Sequence, residues 1–285
     1  MKYPDIDPVL VNIWGPLQIR WYGLMYVIGF VLAFLIVNSA SKRRQNGLSR
    51  IEIEDLFAYS IAGLIIGARI GYCFIYDFSY YAVRPLEILM PWKGGMSFHG
   101  GLIGLLAAGY IFAKRRNKNF LMLADMGALG APPGLFFGRM GNFINGELYG
   151  RVTDVPWGMV FPGGGPQPRH PSQLYEAFLE GLILFLILYG ISFKSKINGM
   201  LLSAFLFFYG LFRFILEFFR QPDVQKGLII GPLTMGQVLC FLMMGLGIVV
   251  FFYSRSHNES LNPVSQKQSE SPQNMKPKKK KAKPR

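Results

Sequence analysis

Apolar positions along this chain come in long blocks rather than as a stripe on amphipathic helices. Near 21–40, 56–76, 97–113, 120–138, 174–191, 200–218 and 233–253 they run almost unbroken. At 1.5 Å per helical residue, each block can cross a hydrocarbon layer about 30 Å thick. The pattern predicts an all-α, polytopic integral membrane helix bundle with seven transmembrane helices. The second block is the least clean, because Arg69 lies within it among several glycines. A single transmembrane domain is expected over 1–253, with outer loops near 77–96 and 139–173.

Composition supports that class. Only 16% of residues are charged and 51% are hydrophobic, whereas soluble domains carry nearer a quarter charged residues. The net charge of +14 would point to nucleic acid if it formed one patch, but the basic residues fall in short runs between apolar blocks. Lys42, Arg43, Arg44 and Arg50 make one run, Lys114, Arg115, Arg116 and Lys118 another, and Lys194 and Lys196 a third. This placement is a topology signal: it predicts an outside N-terminus and a cytoplasmic C-terminus. No nucleic-acid partner is expected. The first apolar block lacks a basic leader, so no cleavable signal is expected. Residues 254–285, rich in Ser, Asn, Gln and Pro before a lysine run, are expected to form a disordered basic cytoplasmic tail. Such a tail is drawn to anionic membrane lipids by about 1 kcal/mol per basic residue. Cys73 and Cys240 sit in apolar blocks with no metal-ligand spacing, and are expected to be small buried apolar residues.

Ionisable groups inside apolar blocks are costly and mark either a buried pair or a site. Arg213, Glu217 and Arg220 are spaced to share one face of the sixth helix. Arg213 needs an anion, which Glu217 supplies on a structural reading and a lipid phosphate on a functional one; guanidinium suits phosphate because its planar fork makes two charge-assisted bonds. Arg69 and Asp125 either pair with each other within the bundle or form the base of a polar site, and the structural reading is preferred. Glu147 and Arg151 are spaced for a local ion pair if their segment is helical.

The densest polar stretch, Gly138-Arg139-Met140-Gly141-Asn142-Phe143-Ile144-Asn145-Gly146-Glu147-Leu148-Tyr149-Gly150, directly follows the fourth block. Its glycines suit close backbone approach and tight turns. Under the predicted topology, Tyr22, His99, Arg139, Asn142, His170 and Arg220 all fall near the outside face, which predicts a cavity open to the outer leaflet. His99 lies between Phe98 and Gly100-Gly101, and the imidazole side chain as a class suits proton transfer at neutral pH. His170 and Tyr22 have bland alternatives as a backbone cap and a membrane-belt ring. A lipid transporter and an enzyme exchanging lipid headgroups are both compatible with these residues.

The Gly138–Gly150 stretch resembles the signature of the bacterial prolipoprotein diacylglyceryl transferase family, close to G-R-x-G-N-F-x-N-x-E-x-x-G. Further matches in order are Tyr22-Gly23, Ser97-Phe98-His99-Gly100-Gly101, His170-Pro171-Ser172-Gln173-Leu174-Tyr175-Glu176, Tyr209-Gly210, Arg213-Phe214, Glu217-Phe218-Phe219-Arg220 and Pro222-Asp223, within residues 1–253. The resemblance implies a catalytic domain in the bacterial inner membrane that moves diacylglyceryl from phosphatidylglycerol to the lipobox cysteine of prolipoprotein signal peptides, releasing glycerol 1-phosphate. It implies catalytic roles for His99, Arg139 and Arg213. Substrate binding would fall to Tyr22, Asn142, Asn145, Glu147, Gly150, Arg151, His170, Glu217 and Arg220. No residue pattern calls for a metal, nucleotide or flavin.

Overall fold

The computed structural model describes residues 1–257 apart from 5, 15–16, 222–227 and 231–232. The expected tail beyond 257 and the Pro222-Asp223 match lie outside the described residues. A β-hairpin, β1 (Val9–Trp14) and β2 (Leu17–Arg20), leads into α1 (Trp21–Arg44). Next come α2 (Arg50–Gly71), continued by a π turn over Tyr72–Tyr76, and the short α3 (Phe78–Val83). α4 (Phe98–Arg116) and α5 (Phe120–Ile144) follow. α6 (Ser172–Glu176), a π turn (Ala177–Ile183) and α7 (Leu184–Lys194) form one continuous rod. α8 (Met200–Leu216), the small hairpin β3 (Leu228–Ile230) and β4 (Leu233–Thr234), and α9 (Met235–His257) complete the order. The all-α expectation therefore holds for the bundle, with two minor hairpins added.

Among the described residues, five helices are long and apolar enough to cross a membrane: Trp21–Arg44, Arg50–Tyr76, Phe120–Ile144, Ser172–Lys194 and Met235–His257. Met200–Leu216 is apolar but shorter, and Phe98–Arg116 ends in three consecutive basic residues. The helices turn apolar side chains such as Ile66, Leu106, Leu242 and Val249 outward. Contiguous apolar surface of this kind is at home in hydrocarbon rather than water.

Close pairing fixes how the rods sit. α2 and α4 meet along glycines: a Cβ on Gly71 would lie 2.7 Å from Gly100 Cα, and one on Gly67 would lie 2.7 Å from Gly104 Cα. Without side chains between them, the two backbones gain dispersion and weak Cα–H···O contacts. α8 and α9 pair similarly, with Gly247 against the Ser203 carbonyl and Gly210 against that of Cys240. α5 continues through Pro132 and Pro133, and Gly29 of α1 fits against that segment at Gly134. Neighbouring helices supply the packing that lets a membrane helix tolerate such residues. Cys73 and Cys240 are buried free thiols, as their apolar surroundings predict.

The bundle has two unlike ends. At one, Arg44 reaches across to Asp125 at 3.1 Å, with both side chains essentially inaccessible. Asp125 also accepts the Leu202 N–H, and Arg44 donates to the carbonyls of Ser195 and Ile197. The apolar core, including Val37, Phe112, Met126, Leu129, Leu188 and Leu201, lies largely in this half. At the other end stand the starts of α1, α4, α6 and α9 and the finishes of α5 and α8.

The expected partnership of Arg69 with Asp125 is overturned. Arg69 belongs to the far end of α2, where its guanidinium donates to the carbonyls of Glu87, Ile88, Gly94 and Gly95 and lies over the Tyr81 ring. It ties the 77–96 loop to the helix, while Asp125 takes Arg44, which the sequence marks only as part of a basic run.

Candidate active site

α5 extends past its expected end at 138, so Arg139 to Ile144 are helical rather than loop. Gly141 lets Tyr22 of α1 close onto this last part of the helix; a Cβ there would lie 2.8 Å from the Tyr22 ring. Tyr3 then finishes the helix by donating to the Phe143 and Ile144 carbonyls, at 2.6 and 2.8 Å. Arg139 and Asn142, three apart, share a face, and Arg139 Nη1 donates to Asn142 Oδ1 at 3.4 Å.

The turn that follows is organised around Glu147. Gly146 and Leu148 both adopt positive φ, 65° and 57°, which folds the chain back on itself. Asn142 and Asn145 donate to Glu147 Oε1 at 2.8 and 3.3 Å, and Gln173 donates to the Glu147 carbonyl. The Glu147–Arg151 pair that a helical segment would allow does not form among the described residues, because the left-handed Leu148 breaks any helical spacing between them. Arg151 instead donates to the Arg220 carbonyl at 2.8 Å. Gly150 bridges to Arg220 and donates to the His170 carbonyl, and a Cβ on it would lie 2.8 Å from His170 Cβ. Only glycine fits there. His170 Nδ1 lies 3.3 Å from the Tyr175 hydroxyl, its ring packed edge-on to Phe219. Desolvation lowers the His170 pKa below its ordinary value, partly offset by Asp154.

At the centre, Arg139 Nε lies 2.6 Å from Glu176 Oε2. Arg213 Nη1 lies 3.4 Å from the same oxygen and 3.5 Å from Glu180 Oε1, and Arg213 Nη2 is 3.5 Å from Glu217 Oε2. The π turn brings these groups within reach: Gly181 presses against Phe136 of α5 so closely that a Cβ would lie 2.6 Å from the Phe136 Cβ. The arginine side chains keep 19% of their surface accessible, whereas those of Glu176 and Glu180 keep 2% and 0%. Two guanidiniums thus face the accessible side with a wall of carboxylates behind them. Such an arrangement suits an anionic group bound from the accessible side.

The sequence-based set is brought together only in part. Tyr22 contacts the signature helix and hydrogen-bonds Tyr26 at 3.1 Å. Arg213 and Glu217 do pair, and Glu217 also accepts from Thr234. Arg220 lies beyond the end of α8 at Leu216, in the turn after it, and makes no ion pair with Glu217 among the described residues. His99 is exposed at the start of α4, with Phe98 as its ring partner; among the described residues no hydrogen bond or ion pair joins it to the arginines. Gly100 and Gly101 serve the α2 contact rather than ligand access. Sequence reasoning gave no site role to Glu176, Glu180 or Tyr209, the last within electrostatic reach of both arginines and both acids. The available signal was two acids four positions apart in an apolar block with no basic partner on their own helix.

The sequence profile described as prolipoprotein diacylglyceryl transferase matches residues 8–253. A phosphatidylglycerol–prolipoprotein diacylglyceryl transferase of Geobacter sulfurreducens is 52% identical over 250 residues, covering 88% of this chain and 96% of that protein. The proteins of the same name from Oleidesulfovibrio alaskensis and Vibrio campbellii are 48% and 47% identical, covering 91% and 89% of this chain and 97% and 93% of their own lengths. The profile runs from the first hairpin to α9 and takes in the Arg139–Glu176–Arg213 cluster, so the chain belongs to the prolipoprotein diacylglyceryl transferase family.

Proposed function

We propose that this protein transfers the diacylglyceryl group of phosphatidylglycerol to the thiol of a prolipoprotein's lipobox cysteine, forming a thioether and releasing glycerol 1-phosphate. The observation that carries this reading is the pair of part-exposed guanidiniums, Arg139 and Arg213, joined through one buried carboxylate oxygen of Glu176. Breaking the glycerol carbon–oxygen bond sends negative charge onto the departing phosphate. Arginines already held in place stabilise that charge without reorganising during the reaction.

The thiol, with a free pKa of about 8.5, must lose its proton before it attacks carbon. His99 is our candidate base, reached by the substrates rather than by the arginines. Asn142, Asn145 and Glu147 would orient the glycerol headgroup, with Tyr22 closing one side. Gly150, Arg151, His170 and Arg220 would shape the rim, and Glu217 would steady Arg213.

We further read the bundle as seven spans in a bacterial inner membrane, with the arginine end toward the outer leaflet. In support, α4 and α8 each pack along a neighbour that is long enough to cross, α2 and α9 respectively. Arg43, Arg44, Arg50, Arg115, Arg116, Lys118 and Lys194 gather at the opposite end, which the positive-inside rule assigns to the cytoplasm.

The test is to incubate purified protein in phosphatidylglycerol micelles with a lipobox peptide and weigh the peptide. A diacylglyceryl mass gain that requires the peptide cysteine is expected. Absence of any gain from demonstrably folded protein would overturn the proposal.

A further inference from the structure

The acids behind the arginines outnumber them. Two guanidiniums face three carboxylates, from Glu176, Glu180 and Glu217. With every group ionised the cluster is net negative before any lipid arrives, and a phosphodiester would bring another negative charge into a poorly solvated place. Taking charges out of water is costly unless they are well paired and hydrogen-bonded. Taking up one proton as the anion binds keeps the cluster's net charge where it started, so the lipid adds no further uncompensated charge.

The three acids are not equally placed. Glu176 has Arg139 at 2.6 Å and Arg213 at 3.4 Å. Glu217 accepts a hydrogen bond from Thr234 and keeps 13% of its side chain accessible. Glu180 has one guanidinium contact, at 3.5 Å, and no accessible side-chain surface, and both of its carboxylate oxygens, against only Oε2 of Glu176, are buried without a hydrogen bond among the described residues. The ionisable groups facing it are Arg139 of α5, Glu176 of α6, Tyr209 and Arg213 of α8, and Cys240 of α9. Its charge is the least compensated of the three.

Taking Arg139 and Arg213 as the phosphate clamp, we propose that Glu180 is the proton-holding positioning residue of the lipid site, taking up one proton when an anionic phospholipid phosphate binds the two arginines. Neutral Glu180 leaves Arg213 free to turn its donors toward phosphate. Ionised Glu180 holds Arg213 back, so the same residue sets both the affinity and its dependence on pH.

The experiment measures phosphatidylglycerol affinity of the whole protein in detergent across about pH 6 to 8, in wild type, Glu180→Gln and Arg139→Ala. One linked proton predicts affinity rising about tenfold per unit fall in pH wherever Glu180 is ionised in the free protein. Glu180→Gln is expected to bind with the low-pH affinity of wild type at every pH. A wild-type affinity that ignores pH, or a slope that persists in Glu180→Gln, overturns the proposal while leaving the clamp intact. Arg139→Ala binding as tightly as wild type overturns the clamp itself. If Glu180→Gln does not fold, infrared difference spectra of wild type decide: a protonated carboxyl band appearing with phosphatidylglycerol but not with neutral diacylglycerol supports the proposal, and its absence overturns it.

Discussion

Arg139 and Glu176 meet at 2.6 Å across the α5–α6 contact, and the same carboxylate oxygen lies 3.4 Å from Arg213. One buried acid therefore registers two arginines from different helices against each other. Replacing either guanidinium removes half of the charge stabilisation offered to a departing phosphate. Arg139→Ala and Arg213→Ala are each expected to lower kcat by about 10²–10³-fold, the range found for losing one preorganised transition-state donor. Initial rates of peptide modification in phosphatidylglycerol micelles check this, and a loss below tenfold would remove that arginine from the clamp.

The Arg44–Asp125 pair lies at the other end and serves the fold. Asp125→Ala leaves a buried guanidinium without its partner, a change that costs about 3–5 kcal/mol. Thermal unfolding in detergent is expected to show a large drop in Tm, while the activity per folded molecule stays at the wild-type level. A catalytic role for Asp125 would reverse that pattern.

Gly67 and Gly104 permit α2 and α4 to touch backbone to backbone. Gly67→Val forces the helices apart, and overpacking of this kind costs about 1–3 kcal/mol or more. Because α4 begins at Phe98, the displacement carries His99 with it. Reduced Tm together with reduced transferase activity is expected, whereas Gly127→Ala, which meets nothing within 4 Å, should leave both unchanged.

His170 should give the protein an acid-side stability limit. Its folded pKa lies below the ordinary value of 6.5, so the unfolded chain binds the extra proton more readily. The contribution is complete above about pH 6.5 and is lost as pH falls toward the folded value. Tm measured against pH should fall through this window in wild type, and the fall should be shallower in His170→Gln. Equal slopes would show that His170 contributes nothing to it.

Hydropathy made the rods legible, because length and apolar content alone decide whether a segment suits a bilayer. The signature stretch was legible as a site because its charges have no local partners in the apolar sequence before it. Contacts distant along the chain were not legible. Arg44 and Asp125 are 81 positions apart, and Glu180 meets Arg213 on another helix. Nothing in the spacing of Arg213, Glu217 and Arg220 says that the helix stops at Leu216. Glu180 stayed hidden for a simpler reason: Glu176 and Glu180 have no basic partner on their own helix, and the arginines that answer them come from facing helices.

The π turn over Ala177–Ile183 joins two stretches with different obligations. Before it, Glu176 must point at arginines; after it, Leu184 and Leu188 must point into the fully inaccessible core. An uninterrupted α-helix advances by about 100° per residue and locks the two directions together. The widened turn acts as a phase adjuster. Deleting one residue from it would leave the rod long enough to span, yet its two ends would no longer agree on which way is inward.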